Sequence, residues 1–147
     1  MVTYVATYGR DPKIAQSVSA KLLPDIEVVH VCLDLPTALR ELPPLFSGDL
    51  SITPSSGLGS NTSLPPSDRK IPTAVFFGGG FSDDEYHTIT TTISAAAANP
   101  DNDIKFVKVQ KRDVLAAGSF GPNPDTIARI FRKKLASHQT RKSNKSL

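Results

Sequence analysis

One stretch constrains the fold more than any other. Ile71 to Tyr86 reads Ile-Pro-Thr-Ala-Val-Phe-Phe, then Gly-Gly-Gly, then Phe-Ser-Asp-Asp-Glu-Tyr. The first seven residues are almost all apolar, β-branched or aromatic, as in a strand covered on both faces. Three glycines then allow a turn too sharp for side chains. Ser82 is placed to cap a helix, Glu85 completes a capping box, and Phe81 and Tyr86 have the spacing of a hydrophobic staple. A buried strand, a glycine turn and a capped helix make half of a βαβ unit.

The same alternation precedes it. Val2 to Tyr8 reads as a strand, and Asp11-Pro12 opens a helix whose Ile14, Val18 and Leu22 share a face. Ile26 to Leu33 is a second strand. Asp34-Leu35-Pro36 starts a second helix with Ala38, Leu39 and Leu42 inward, and Pro43-Pro44 is expected to end it. After the central unit, Ile104 to Val109 is a fourth strand, with Lys105 and Lys108 favouring an edge. Val114 to Ala117 reads as a short fifth strand or a connector. Asn123-Pro124 caps a last helix with Ile127, Phe131 and Leu135 on its inner face.

This order predicts an α/β fold: a three-layer sandwich on a small, mostly parallel sheet of four to five strands, flavodoxin- or Rossmann-like. The strand order 2-1-3-4 puts the most apolar strand beside the first. A ferredoxin-like sheet is the alternative if Asp34 to Phe46 is not helical. The domain is assigned to residues 1–136. Ser47 to Lys70 interrupts it, with 13 of its 24 residues Ser, Gly or Pro, and reads as a flexible surface insertion. Residues 137–147 read as a disordered basic tail.

Composition narrows the class. In 147 residues, 39% are hydrophobic and 21% charged, an ordinary globular balance. No apolar run approaches the roughly 20 residues of a membrane span, and no basic-then-apolar leader opens the chain, so cytosol or nucleus is expected. Cys32 is the single cysteine, which excludes an internal disulfide. From Thr126 onward there are seven basic residues and no acidic ones, against a total net charge of +3. With no aromatic residue interleaved after Phe131, this reads as a solvated helix face rather than a nucleic-acid footprint.

In doubly wound sheets, ligands bind outside the carboxyl ends of the strands. Here that rim carries Tyr8, Gly9 and Arg10, then Gly78, Gly79, Gly80 and Ser82, then Ser119 and Asn123. Helix N-termini converging beside Arg10 are suited to a phosphate or carboxylate. The first βα turn has one glycine, not Gly-x-Gly-x-x-Gly, and no P-loop motif occurs. Asp83, Asp84 and Glu85 resemble metal carboxylates, but a helix's first turn favours acidic residues on dipole grounds alone. His30 and Cys32, two apart on one strand, share a face and read first as core, second as a base–thiol pair. No His/Cys/Asp group has metal-ligand spacing in the sequence, and no cofactor is identified.

Two partial resemblances attach to these residues. From Val2 to Phe77, and most of all over Ile26 to Leu42, the layout looks like a response-regulator receiver. That family's phospho-accepting Asp would fall on Gly78 or Gly79, and its acidic pair on Tyr8-Gly9, so phosphoryl transfer is not expected. Gly9-Arg10-Asp11-Pro12 through Asp34-Leu35 is similar to the second βα unit of NmrA-like and other atypical short-chain dehydrogenases. There, an Arg at this point faces the extra phosphate of the nucleotide, while the family's glycine-rich first unit has no counterpart here. The resulting expectation is a small binding or interaction domain taking a protein partner or small anionic ligand at the rim. The alternative is a small NAD(P)- or phosphometabolite-linked enzyme with Arg10 as anion anchor and His87 as acid or base.

Overall fold

The computed structural model describes residues 2–78, 80–97, 104–116, 118 and 123–145, the side chains of Lys111 and of 138–145 excepted. Its elements are β1 (Thr3–Tyr8), α1 (Pro12–Leu22), β2 (Ile26–Cys32), α2 (Leu35–Phe46), β3 (Ala74–Phe77), α3 (Asp83–Ala96), β4 (Lys105–Lys108), α4 (Lys111–Ala116) and α5 (Pro124–Lys145). The four strands form one sheet in the order β2-β1-β3-β4, and all three pairings are parallel. This is the three-layer α/β architecture read from the alternation, with the ferredoxin-like alternative excluded.

Alternation along the strands builds two cores. Val5, Ala74, Phe76 and Val107 face α1 and α5, where Val18, Leu22, Ile127, Phe131 and Leu135 are buried. Ala6, Tyr8, Val75 and Phe77 face α2 and α3, where Ala38, Leu42, Leu45, Ile89 and Ile93 are buried. Phe76 and Phe77 are each fully buried, on opposite faces. Phe76 stacks on Phe131 at 4.3 Å, while Phe77 meets Tyr86 edge-on at 4.8 Å. Strand β3 is central and dry on both sides, as its unbroken apolar run requires.

β1 and β2 fall out of step between Val5 and Ala6, because Val5 pairs with Val28 and Ala6 with His30. Val29 is thus an extra residue, a β-bulge. It inverts the facing of everything after it. Ile26 and Val28 belong to the α1/α5 core, as does Val31, whereas Cys32 belongs to the α2/α3 core. The bulge is what turns His30 and Cys32 together toward α2.

Three details differ from the sequence reading. α2 runs through Pro43-Pro44 to Phe46, closing with Ser47 N–H donating to the carbonyls of Pro43 and Pro44 at 3.0 and 3.1 Å. Full burial of Leu45 and near-full burial of Phe46 hold that last turn despite the missing proline donors. Residues 111–116 are a short helix rather than a fifth strand. α5 extends to Lys145, past the point at which the basic tail was placed.

The Ser/Gly/Pro-rich segment is also folded onto the sheet, contrary to its composition. It lies along the outer edge of β2: Ser56 Oγ donates to the Val31 carbonyl at 2.7 Å, and Ser60 Oγ to Glu27 at 2.8 Å. Asn61 is fully buried, its amide donating to the Lys70 carbonyl at 3.0 Å and accepting from the Lys70 N–H at 3.1 Å. Arg69 donates to the carbonyls of Leu50, Ile52 and Leu64. Polar groups tie this segment down, with Leu58 and Leu50 packed against the two cores, and it covers an edge that would otherwise expose unpaired backbone.

Candidate functional site

The strand-end rim is organised by Glu85. Its first-turn position on α3 follows from the capping box: Glu85 N–H donates to Ser82 Oγ at 3.1 Å, and Ser82 N–H donates back to Glu85 Oε1 at 3.3 Å. The same carboxylate accepts the Tyr8 hydroxyl from the end of β1. One Arg10 amino group donates to both of its oxygens, at 2.6 and 2.7 Å, and Arg10 Nε donates to the Gly80 carbonyl at 2.8 Å. Gly80 itself has φ 91°, a left-handed conformation that favours glycine at this turn. The network joins β1 to the start of α3.

Its electrostatics follow from these bonds. The Tyr8 hydrogen bond, with help from Ser82 and Arg10, holds the Glu85 carboxyl below its usual range despite partial burial. Burial first, and the anionic Glu85 second, push the Tyr8 phenol well above its usual value. The pair is therefore a neutral phenol donating to a carboxylate, with Arg10 as counter-charge.

The helix N-termini at this rim are already served. Asp11 accepts from Lys13 N–H and Ile14 N–H at 2.9 and 3.3 Å, and Asp34 accepts from Thr37 N–H at 2.8 Å. Asn123 caps α5, accepting from Asp125 N–H and Thr126 N–H at 3.0 and 3.3 Å, but contrary to the sequence reading that terminus lies away from the rim, where Asp125 pairs at 2.8 Å with Lys21 in the last turn of α1. Hydrogen bonding by Thr37 keeps Asp34 below the ordinary carboxylate range, and Arg10 contributes. Asp11, Asp34, Asp83 and Asp84 are exposed.

Of the residues singled out from sequence, Tyr8, Gly9, Arg10, Gly78, Gly80 and Ser82 gather at this rim. Gly78 N–H donates to the Tyr8 carbonyl at 2.9 Å, and Gly9 N–H to the Cys32 carbonyl at 3.1 Å. Asn123 caps α5, while Gly79 and Ser119 lie outside the described residues. His87 is exposed on α3, and among the described residues its ring makes no hydrogen bond into the rim. Sequence reasoning named Glu85 as a cap but missed it as the partner of Arg10 and Tyr8.

A second polar cluster lies inside the α2 face. His30 Nε2 donates to Glu41 Oε1 at 2.8 Å, and both side chains are almost completely buried. Glu41 also accepts from the Ser55 hydroxyl, the Ser55 N–H at 3.3 Å and Arg40 at 3.3 Å. Cys32 stands two residues along β2. Burial lowers the His30 pKa, Glu41 opposing it, so the ring is neutral. Burial raises Glu41, but bonds from Ser55 and His30 outweigh it and leave the carboxyl below its usual value. Burial pushes the Cys32 thiol up strongly.

The His30–Cys32 pairing was visible in the sequence as a two-residue spacing. Glu41 was missed, although it interrupts the inward stripe of Ala38, Leu42 and Leu45, where a charge is out of place unless partnered. Ser55 had no readable signal, because only the docking of 47–70 brings it there. Among the described residues, no helix is long and apolar enough to cross a membrane. Compared with protein-family models, curated proteins and solved structures, the chain finds no match in any of the three.

Proposed function

We propose that the protein is a small binding module whose strand-end rim docks a protein partner through a basic segment of that partner. One observation carries this reading: Arg10 is already neutralised within the rim by Glu85. The exposed carboxylates of Asp11, Asp34, Asp83 and Asp84 then outnumber the rim cations Lys13 and Lys108. A Tyr8–Glu85–Arg10 network that fixes the backbone beneath them supplies a preorganised surface, which lowers the ordering cost of binding. Such a surface steers and selects a Lys/Arg-rich segment more than it holds one tightly.

The test uses a labelled Lys/Arg-rich peptide, an Asp/Glu-rich peptide of equal length and inorganic phosphate, each titrated into the full chain. Binding of the basic peptide that weakens with salt supports the reading. The triple variant Asp34→Asn, Asp83→Asn, Asp84→Asn should then lose roughly tenfold in affinity, at about 0.5 kcal/mol per exposed pair. Basic-peptide binding unchanged in that variant overturns it. Phosphate binding lost in Arg10→Ala overturns it in favour of an anion site.

A further inference from the structure

We propose that His30, Cys32 and Glu41 form a binding site for a divalent metal ion of the zinc class. One ring nitrogen of His30, Cys32 Sγ and a Glu41 carboxylate oxygen lie within 4.8 Å of one another, and all three residues are buried. Nitrogen, thiolate and carboxylate are the three donor types that zinc takes from proteins, at about 2.0–2.3 Å each. Donors around a tetrahedral ion of that size sit about 3.4 Å apart. The His30–Glu41 pair, at 2.8 Å, therefore opens by about 0.6 Å and no pair closes by more than about 1.4 Å, within the reach of small χ rotations.

A second, independent observation sits in the same cluster. His30 Nδ1 is buried and has no hydrogen-bond partner. A carboxylate can only accept, so Nε2 carries the proton it gives to Glu41, and the neutral ring keeps a bare lone pair on Nδ1. Buried polar atoms without partners are uncommon, and each calls for a reason. A histidine retained only for packing would gain nothing from this arrangement. An ion shared with Cys32 and Glu41 takes Nε2, on the Glu41 side of the ring, and the proton displaced from Nε2 moves to the bare Nδ1.

The local architecture serves the same end. Without the bulge at Val29, His30 would face the α1/α5 core. With it, His30 and Cys32 present nitrogen and sulfur side by side toward α2, which supplies Glu41 one turn after Ala38. Ser55 and Arg40 also bond the Glu41 carboxylate, the kind of outer support that orients metal ligands. Sulfur with nitrogen and one oxygen selects zinc over magnesium or calcium, which prefer all-oxygen sets.

Binding has a defined balance. Cys32 enters as a thiol and ligates as a thiolate, so its proton is released to solvent as the S–metal bond forms. No electron is transferred, and no other reactant is needed. Three protein ligands leave a fourth position for water or for a group from a bound molecule. The 47–70 segment closes over the cluster through Ser55, so ion binding also stabilises the docking of that segment on β2.

The test uses the full chain, treated with chelator and then titrated with Zn2+ or Co2+ alone. The proposal expects one equivalent of Zn2+ bound, with slower protease cleavage within 47–70. It also expects a near-ultraviolet thiolate-to-cobalt charge-transfer band with Co2+. Cys32→Ser should abolish the band, and Glu41→Gln should weaken Zn2+ binding by about 10- to 100-fold. The spectrum of the unaltered chain needs no variant to fold. A folded wild-type chain with neither stoichiometric Zn2+ nor the band overturns the proposal, as does a band undiminished in folded Cys32→Ser. Neither result bears on peptide binding at the rim.

Discussion

Gly59 lies directly against the backbone of Val29: a Cβ on Gly59 would stand 2.4 Å from the Val29 carbonyl oxygen. The bulged residue of β2 and the turn of the covering segment meet main chain to main chain. Gly59 also has φ 102°, where side chains are strained. Gly59→Ala should therefore destabilise by about 2–4 kcal/mol, since both the clash and the dihedral must be relieved. Gly57→Ala is the control, with φ 74° but nothing within 4 Å, and should cost about 1–2 kcal/mol. Urea midpoints compare the two, and equal losses would show that the segment is not pressed against β2.

That contact also shows where sequence reading stops. The strands, the helices and the order 2-1-3-4 were legible because they rest on local signals, such as the Val75–Phe77 run and the caps at Asp11, Asp34 and Ser82. The docking of 47–70 was not legible, because no apolar periodicity announces it. Ser55, Ser56 and Ser60 tie it to Glu41, the Val31 carbonyl and Glu27, while Asn61 and Arg69 brace the segment internally. The bulge at Val29 was hidden for the same reason, since an apolar strand reads the same with one residue inserted. Part of the rim was visible in Gly78, Gly80 and Arg10. The partnership of Arg10 with Glu85 spans 75 residues and leaves no local trace.

The two central phenylalanines should behave as independent core residues. Phe76 packs on Phe131 in one layer, and Phe77 on Tyr86 and Phe81 in the other. Each truncation to Ala should cost about 3–5 kcal/mol. They share no packing partner among these rings, so the double variant should lose close to the sum and fall near or below zero net stability. A double variant that loses much less than the sum would show the two layers relaxing together.

Acid stability should depend on Glu85. Its folded pKa lies below the usual 4.5, so its contribution is fully present above about pH 4.5 and fades as pH falls through the folded value. Glu85→Gln keeps the shape of the cap but not the charge. It should cost about 1–2 kcal/mol at pH 7, and the gap to the parent should narrow below pH 4.5. Tyr8→Phe should remove part of the same acid limb, because the Tyr8 hydroxyl is the main cause of the shift. Thermal unfolding from pH 7 to pH 3 reads this directly, and a gap that stays constant with pH would exclude the charge as its source.

Arg10 separates the two ways the rim can act. Its guanidinium is half-exposed, 52% for the side chain against 16% for Glu85, so its ion pair is worth no more than about 1 kcal/mol after solvent screening. Arg10→Ala should therefore leave the fold intact, with a small fall in melting temperature. The change at the surface is larger, because Glu85 loses its counter-charge and the rim gains a net negative charge beside Asp34, Asp83 and Asp84. A basic peptide should then bind several-fold more tightly than to the parent, and the gain should shrink as salt is raised. Arg10→Lys is the informative companion, since an ammonium keeps the charge but cannot reproduce the fork that grips both Glu85 oxygens while Nε holds the Gly80 carbonyl. It should lose stability much as Arg10→Ala does, yet leave peptide affinity near the parent value. If Arg10→Ala instead weakens basic-peptide binding as much as it weakens the fold, the rim acts through its shape and not its charge.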